Sequence, residues 1–236
     1  MKIASVMLIG AIAMASTGVW ASTGRQDSLN RLQMSSDVLH SLMSAPDKGI
    51  PEEVMTGAKC IVVVPHLVKG GFIVGAEHGR GIASCRTADG WSAPAFVSIG
   101  GGSWGLQIGV EGVDLVMVVM NDRGLQRLLG SKFQIGGDAS ASAGPVGRHA
   151  SAGTDWTMNT EILTYSRSHG VFAGITLDGA VVEQDADSTR AIYGHDIAFR
   201  AILSGNVRAP RSTAHFMHSI AETGRAGTIA EANPGQ

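Results

Sequence analysis

The chain has 236 residues, of which 32 are glycine, 44% apolar, 16% charged and 5% aromatic, and its formal net charge is -2. A charge this close to zero argues against a polyanion binder held by bulk electrostatics. The glycines follow no G-X-Y period, the hydrophobicity is too high for a disordered chain, and two cysteines exclude a disulfide-dense scaffold, so one domain with short tails is expected.

Residues 1–21 have the plan of a secretory signal peptide: Lys2, an almost wholly apolar run from Ile3 to Ala15, then a short segment with small or modest residues at Val19 and Ala21. Cleavage is expected after Ala21, giving an exported chain, periplasmic or secreted. The apolar run is shorter than the ~20 residues that span a bilayer, and no cysteine stands near the cut to make a lipoprotein. Asp27 to Ser44 reads as an amphipathic helix, with Leu29, Leu32, Leu39, Leu42 and Met43 at three- and four-residue steps and Arg31 as the lone cation of its polar face. Pro51-Glu52-Glu53 suits the first turn of a second short helix ending near Gly57. Residues 22–57 thus form an N-terminal helical part.

From Cys60 the pattern changes to short strands. Ile61 to Val64 is stopped by Pro65, Gly70-Gly71 opens Phe72 to Glu77, Gly79 turns it, and Ile82 to Arg86 continues to a hairpin at Asp89-Gly90. Ala95 to Ile99, Leu106 to Val110 and Leu115 to Met120 are further strands, followed by a short helix near Leu125 to Leu129. Ser140 to Ala143, Thr154 to Ser166, Val171 to Leu177 and Ala180 to Val182 form a second β region. Asp185 to Tyr193 and Ile197 to Leu203 read as helices, closing a β-rich part over residues 58–205. Residues 206–236 hold a weak helix, Pro210 to Glu222, and a frayed tail. The fold expected is α+β: a strongly bent antiparallel β-sheet with N- and C-terminal helices packed on it, barrel-like closure being left open.

Gly100 to Gly105 spells G-x-G-x-x-G, and also G-x-S-x-G around Ser103. Both motifs work only between a strand and a helix, and here strand follows, so a glycine-rich β turn is the better reading. His215 and His218 share a helix face without further ligands, and Asp185 and Asp187 lie in a solvated acidic turn with no complete calcium loop. No metal, cofactor or catalytic residue is assigned. Cys60 and Cys85 fall on neighbouring strands, where an oxidising compartment permits a disulfide; two buried thiols are the alternative.

Four segments in order carry a resemblance: Lys69-Gly70-Gly71-Phe72, Trp91-Ser92-Ala93-Pro94-Ala95-Phe96, Ala143-Gly144-Pro145-Val146-Gly147-Arg148 and Tyr165-Ser166-Arg167-Ser168. Over about 140 residues the chain resembles the SYLF-domain family. That resemblance implies a non-enzymatic lipid-binding domain, with eukaryotic relatives that bind phosphoinositide membranes and a fungal branch that binds actin filaments. Export would keep this chain from actin, so only anionic phospholipid or envelope-lipid binding is carried over.

A headgroup site needs cations and apolar surface, and arginine's planar fork suits a defined phosphate better than bulk attraction. Lys69, Arg80, Arg86, Arg148 and Arg167 stand beside glycine turns, and Phe72, Trp91 and Trp104 supply the apolar part. The function expected is lipid binding at a membrane surface, with no nucleic acid. An envelope structural or protein-interaction module is the alternative, and a serine hydrolase using Ser103 ranks third.

Overall fold

The computed structural model describes residues 17–45, 49–71, 74–104, 109–145, 160–168, 171–173, 177 and 179–231. Helix α1 (Thr17–Met43) and α2 (Glu52–Gly57) precede strands β1 (Cys60–Gly71), β2 (Val74–Thr87), β3 (Gly90–Trp91), β4 (Ala95–Trp104) and β5 (Gly109–Val119). Then come α3 (Asp122–Leu129), β6 (Lys132–Gln134), β7 (Ala141–Ala143), β8 (Ile162–Ser168), β9 (Val171–Ala173) and β10 (Val181–Gln184). The chain ends with α4 (Ala186–Tyr193), α5 (Phe199–Leu203), a 3-10 turn (Arg211–Thr213) and α6 (Ala214–Glu231).

The strands form one sheet in the order β6-β10-β4-β2-β1-β5-β8-β7, with β3 paired to β2 and β9 to β8, curled into a half-barrel. The α+β class and the bent sheet agree with the sequence reading, with one correction: β7 runs parallel to β8, so the sheet is mixed.

The apolar run Ile61 to Val64 has no polar alternation because both sheet faces are covered. Cys60, Val62 and Val64 point to one face, with Ala83, Val97, Leu115 and Met117, under Leu128 of α3 and Phe199 and Ile202 of α5. Ile61 and Val63 point to the other, with Ile82, Phe96, Val116 and Leu163. That second face is covered by Leu32, Leu39 and Leu42 of α1, Val54 and Met55 of α2, Ile192 of α4 and Phe216 and Ile220 of α6. The expected packing of the terminal helices on the sheet is therefore seen.

Several boundaries differ from expectation. Pro65 does not stop β1; the strand continues through a bulge, marked by register shifts between Val63 and Val68 and by His66 at φ 57°. Proline lacks the ladder donor and is tolerated at such a bulge. Gly70-Gly71 ends β1 rather than opening a strand, and Gly79 is no turn, since β2 runs straight through it. Gly79 lies against Val64 Cγ1 and Leu67 Cδ1, where an added Cβ would approach to 2.7 and 2.8 Å. A Cβ on Gly81 would collide with the Val63 carbonyl. These glycines let the bulge fold down onto β2. We expect Gly81→Ala to lower unfolding free energy by about 1–3 kcal/mol, the range for overpacked cores, read as a lower urea midpoint at constant m-value.

The first helix begins at Thr17, ten residues earlier than expected, and runs through the predicted cleavage point. The last runs to Glu231, so the segment expected to fray from Gly224 is helical over much of its length. Strand β6 had no sequence prediction, and Leu106 to Ile108 lie outside the described residues.

Candidate functional site

The residues assigned to lipid binding do not form one cluster. Lys69 pairs with Glu77 across β1 and β2 at 3.1 Å, with the two side chains 16% and 3% exposed. Arg86 donates from Nε to the Ala58 carbonyl (3.1 Å) and from Nη2 to the Met55 carbonyl (3.0 Å), which closes the end of α2. Its guanidinium lies 4.6 Å from the ring centroid of half-buried Trp91, a cation–π contact. Burial draws the Arg86 pKa down from its ordinary value. Arg167 donates to Asp114 Oδ2 at 2.8 Å and to Ser41 Oγ of α1, tying β8 to β5 and the helix. These side chains bridge elements of the domain. Phe72 and Arg148 lie outside the described residues; Trp104 ends β4, with its backbone in register with Val74.

The motifs of the resemblance meet one another. A side chain on Gly144 would collide with the Tyr165 ring. Tyr193 Oη donates to the Pro94 carbonyl at 2.7 Å, and Ser92 Oγ accepts from the Cys85 N–H at 3.0 Å. Cys60 and Cys85 are register partners on β1 and β2 and are joined as a disulfide in the structure.

Arg80 has a different setting. Along β2, residues 78, 80 and 82 share the face that α1 covers. Ile82 is fully buried beneath the helix layer, while Arg80 and His78 are exposed where that cover gives way. Val68 stands in register with His78, and the His66 ring lies over Gly112 of β5, 3.5 Å from where a Cβ would be. Together with Pro65 and the α1 residues Asp27, Asn30, Arg31 and Met34, they line an open groove of about 380 Å³. Met34 and Val68 are each 43% exposed, and they are the exposed large hydrophobic side chains among the described residues. An apolar pair beside an exposed arginine has the composition of an interfacial headgroup site.

Sequence reasoning missed Arg31, His66, His78, Met34 and Val68. Arg31 is not a solvated cation; it is 5% exposed, bonds Asp185 at 2.9 Å and lies 5.6 Å from the Phe96 ring centroid. Asp185 is not in a solvated turn either. It caps α4 by accepting from the Ser188 N–H at 3.0 Å, and it is 11% exposed. The apolar stripe at three- and four-residue steps revealed the buried side of α1 but gave no signal that Arg31, read on the polar face, had a partner 154 positions away.

Ser103 lies on β4 in register with Gly75, and the next described element is strand β5. That is not the strand-to-helix setting a nucleophile elbow or dinucleotide loop requires. Among the described residues no group of three or more His, Cys, Asp or Glu is placed to hold a metal, and no helix is long and apolar enough to cross a membrane. His218 pairs with Glu222 at 3.4 Å. A second cleft, about 430 Å³, lies between α1 and α6, with Asp37, His40, His215 and Glu222 in its walls.

Residues 100–223 match the Ysc84 family, described as Las17-binding protein actin regulator. The chain is 36% identical over 169 residues to the SH3 domain-containing YSC84-like protein 1 of Rattus norvegicus, covering 71% of this chain and 49% of that one. It is 38% identical over 166 residues to the SH3 domain-containing protein PJ696.02 of Schizosaccharomyces pombe, covering 68% and 38%. Protein YSC84 of Saccharomyces cerevisiae is 32% identical over 170 residues, covering 70% and 36%. The chain thus spans half or less of the length of these relatives.

Proposed function

Because the chain belongs to the Ysc84 family, the SYLF-domain family whose motifs it carries, we propose that it is a non-catalytic domain that binds anionic lipid surfaces peripherally, acting after export and cleavage near Ala21. The observation that supports this best is the groove at the uncovered end of the α1 face, where exposed Met34 and Val68 stand beside Arg80. The apolar pair enters the interface and the guanidinium meets a headgroup phosphate in a bidentate hydrogen bond. A single such site is modest in strength, so binding falls as salt rises.

Arg80→Glu reverses the charge without touching the core. It is expected to weaken sedimentation with phosphatidylglycerol-containing vesicles at least fivefold, since each cation at an anionic surface is worth about 1 kcal/mol. Sedimentation of the parent chain equal with neutral and anionic vesicles would remove the charge component of the proposal. No sedimentation with any lipid extract would remove the proposal itself.

A protein-interaction module of the envelope is the second reading. It is favoured by the cleft between α1 and α6, which carries two histidines and two carboxylates, and by the family's description as Las17-binding, a property of those relatives. Deleting residues 22–57 would uncover one sheet face, so substitutions in this cleft, such as His215→Glu, are the cleaner probe in a native pull-down.

A further inference from the structure

Resting on the lipid-binding reading of the groove, we infer that its affinity for an anionic lipid surface is controlled by pH, through protonation of His66 and His78, which line it together with the apolar pair. The charges around the groove set up this control. From α1, Asp27 and Arg31 face it, and Arg31 is already matched by its buried bond to Asp185. From β2, Arg80 faces it beside His78, whereas Glu77 points to the opposite face and pairs with Lys69. On β5, Asp114 accepts from the His66 backbone N–H at 3.2 Å, and its other oxygen is matched by Arg167. With both imidazoles neutral, Asp27 offsets Arg80 and the groove carries almost no net charge. With both protonated it carries about two positive charges.

Histidine is the side chain whose charge changes between pH 5 and 8. Both histidines are exposed, and among the described residues neither lies within ion-pairing distance of a carboxylate. The bulge holds His66 at φ 57°, directing its ring over Gly112 and toward the groove. Each charge gained near an anionic surface corresponds to about a fivefold gain in binding. The groove therefore grips anionic lipid in mildly acidic surroundings and releases it near neutrality.

The test is co-sedimentation of the full chain with vesicles of phosphatidylcholine and phosphatidylglycerol at pH 5.5 and pH 7.5, at fixed ionic strength. The parent chain is expected to bind about tenfold or more tightly at the lower pH. The double variant His66→Asn, His78→Gln brings the ratio of the two affinities close to one; asparagine is chosen at position 66 because it tolerates left-handed backbone. His40→Gln, in the cleft between α1 and α6, keeps the parental ratio. A parental ratio near one, a double variant that keeps the full ratio, or a His40→Gln variant that loses it overturns the pH inference and leaves lipid binding standing. Absence of binding at both pH values overturns both.

Discussion

Asp185→Ala is expected to lower the unfolding free energy by about 3–5 kcal/mol, because it leaves the Arg31 guanidinium buried with no counter-charge. For a domain of this size that is a fall in Tm of roughly 10 °C. Asp185→Asn should lose less, since an amide oxygen can still accept from the Ser188 N–H that starts α4. Chemical unfolding of the three proteins side by side gives the comparison; an alanine variant within 1 kcal/mol of the parent would mean that water reaches Arg31.

The same pair predicts a pH dependence. Burial alone pushes the Asp185 carboxyl up, but the Ser188 N–H and hydroxyl and the Arg31 guanidinium outweigh it and hold its pKa below the ordinary value. A depressed carboxyl pKa contributes stability that is complete above the unfolded value, about 4, and is lost as pH falls through the folded value. The parent should therefore lose this contribution below about pH 4, and Asp185→Asn should not show that component. Vesicle binding at pH 5.5 lies above this window, so the two acid effects separate.

The second large effect is at Cys60 and Cys85. They lie 25 residues apart, and a cross-link of that span removes enough unfolded-chain entropy to stabilise by about 3 kcal/mol. Both side chains are buried, at 0% and 1% exposure, so Cys60→Ala with Cys85→Ala is a better replacement than serine, which would bury two hydroxyls. We expect that double variant to unfold at a correspondingly lower urea concentration than the oxidised parent. Intact mass of the non-reduced protein should be two hydrogens lighter than after reduction. Free thiols at both positions in protein isolated from its native compartment would refute the bridge.

Much of the architecture was legible because it rests on local signals. Pro51 with Glu52 and Glu53 at the start of α2 and the Asp89-Gly90 turn are short-range features that a sequence displays directly. The β1 bulge was hidden because Pro65 and Gly79 are read as breakers unless the partner strand is known. Only the pairing of β1 with β2 shows Val64 and Leu67 resting on Gly79. The parallel placement of β7 beside β8 depends on long-range closure and leaves no local mark.

The candidate site was less legible. Arginine beside glycine selected Arg80, which is exposed at the groove, but also selected Arg86 and Arg167, whose guanidinium groups are committed to Met55, Ala58, Ser41 and Asp114. A side chain's demand for hydrogen bonds is visible in sequence; who answers it is not. Met34 belongs to the same helix as the buried leucines, but it stands on the side of that helix that lines the groove, with Asp27, Asn30 and Arg31.

The partners of α1 lie far downstream: Arg25 donates to the Ala191 carbonyl, Arg31 to Asp185, and Ser41 accepts from Arg167. During synthesis α1 precedes each of these partners, and it is anchored only after they have followed it. Until the chain has been made as far as Ile192, the surface on which Leu32, Leu39 and Leu42 dock is unfinished. Over that interval the nascent protein presents a bare amphipathic helix, which makes it a client for holding chaperones.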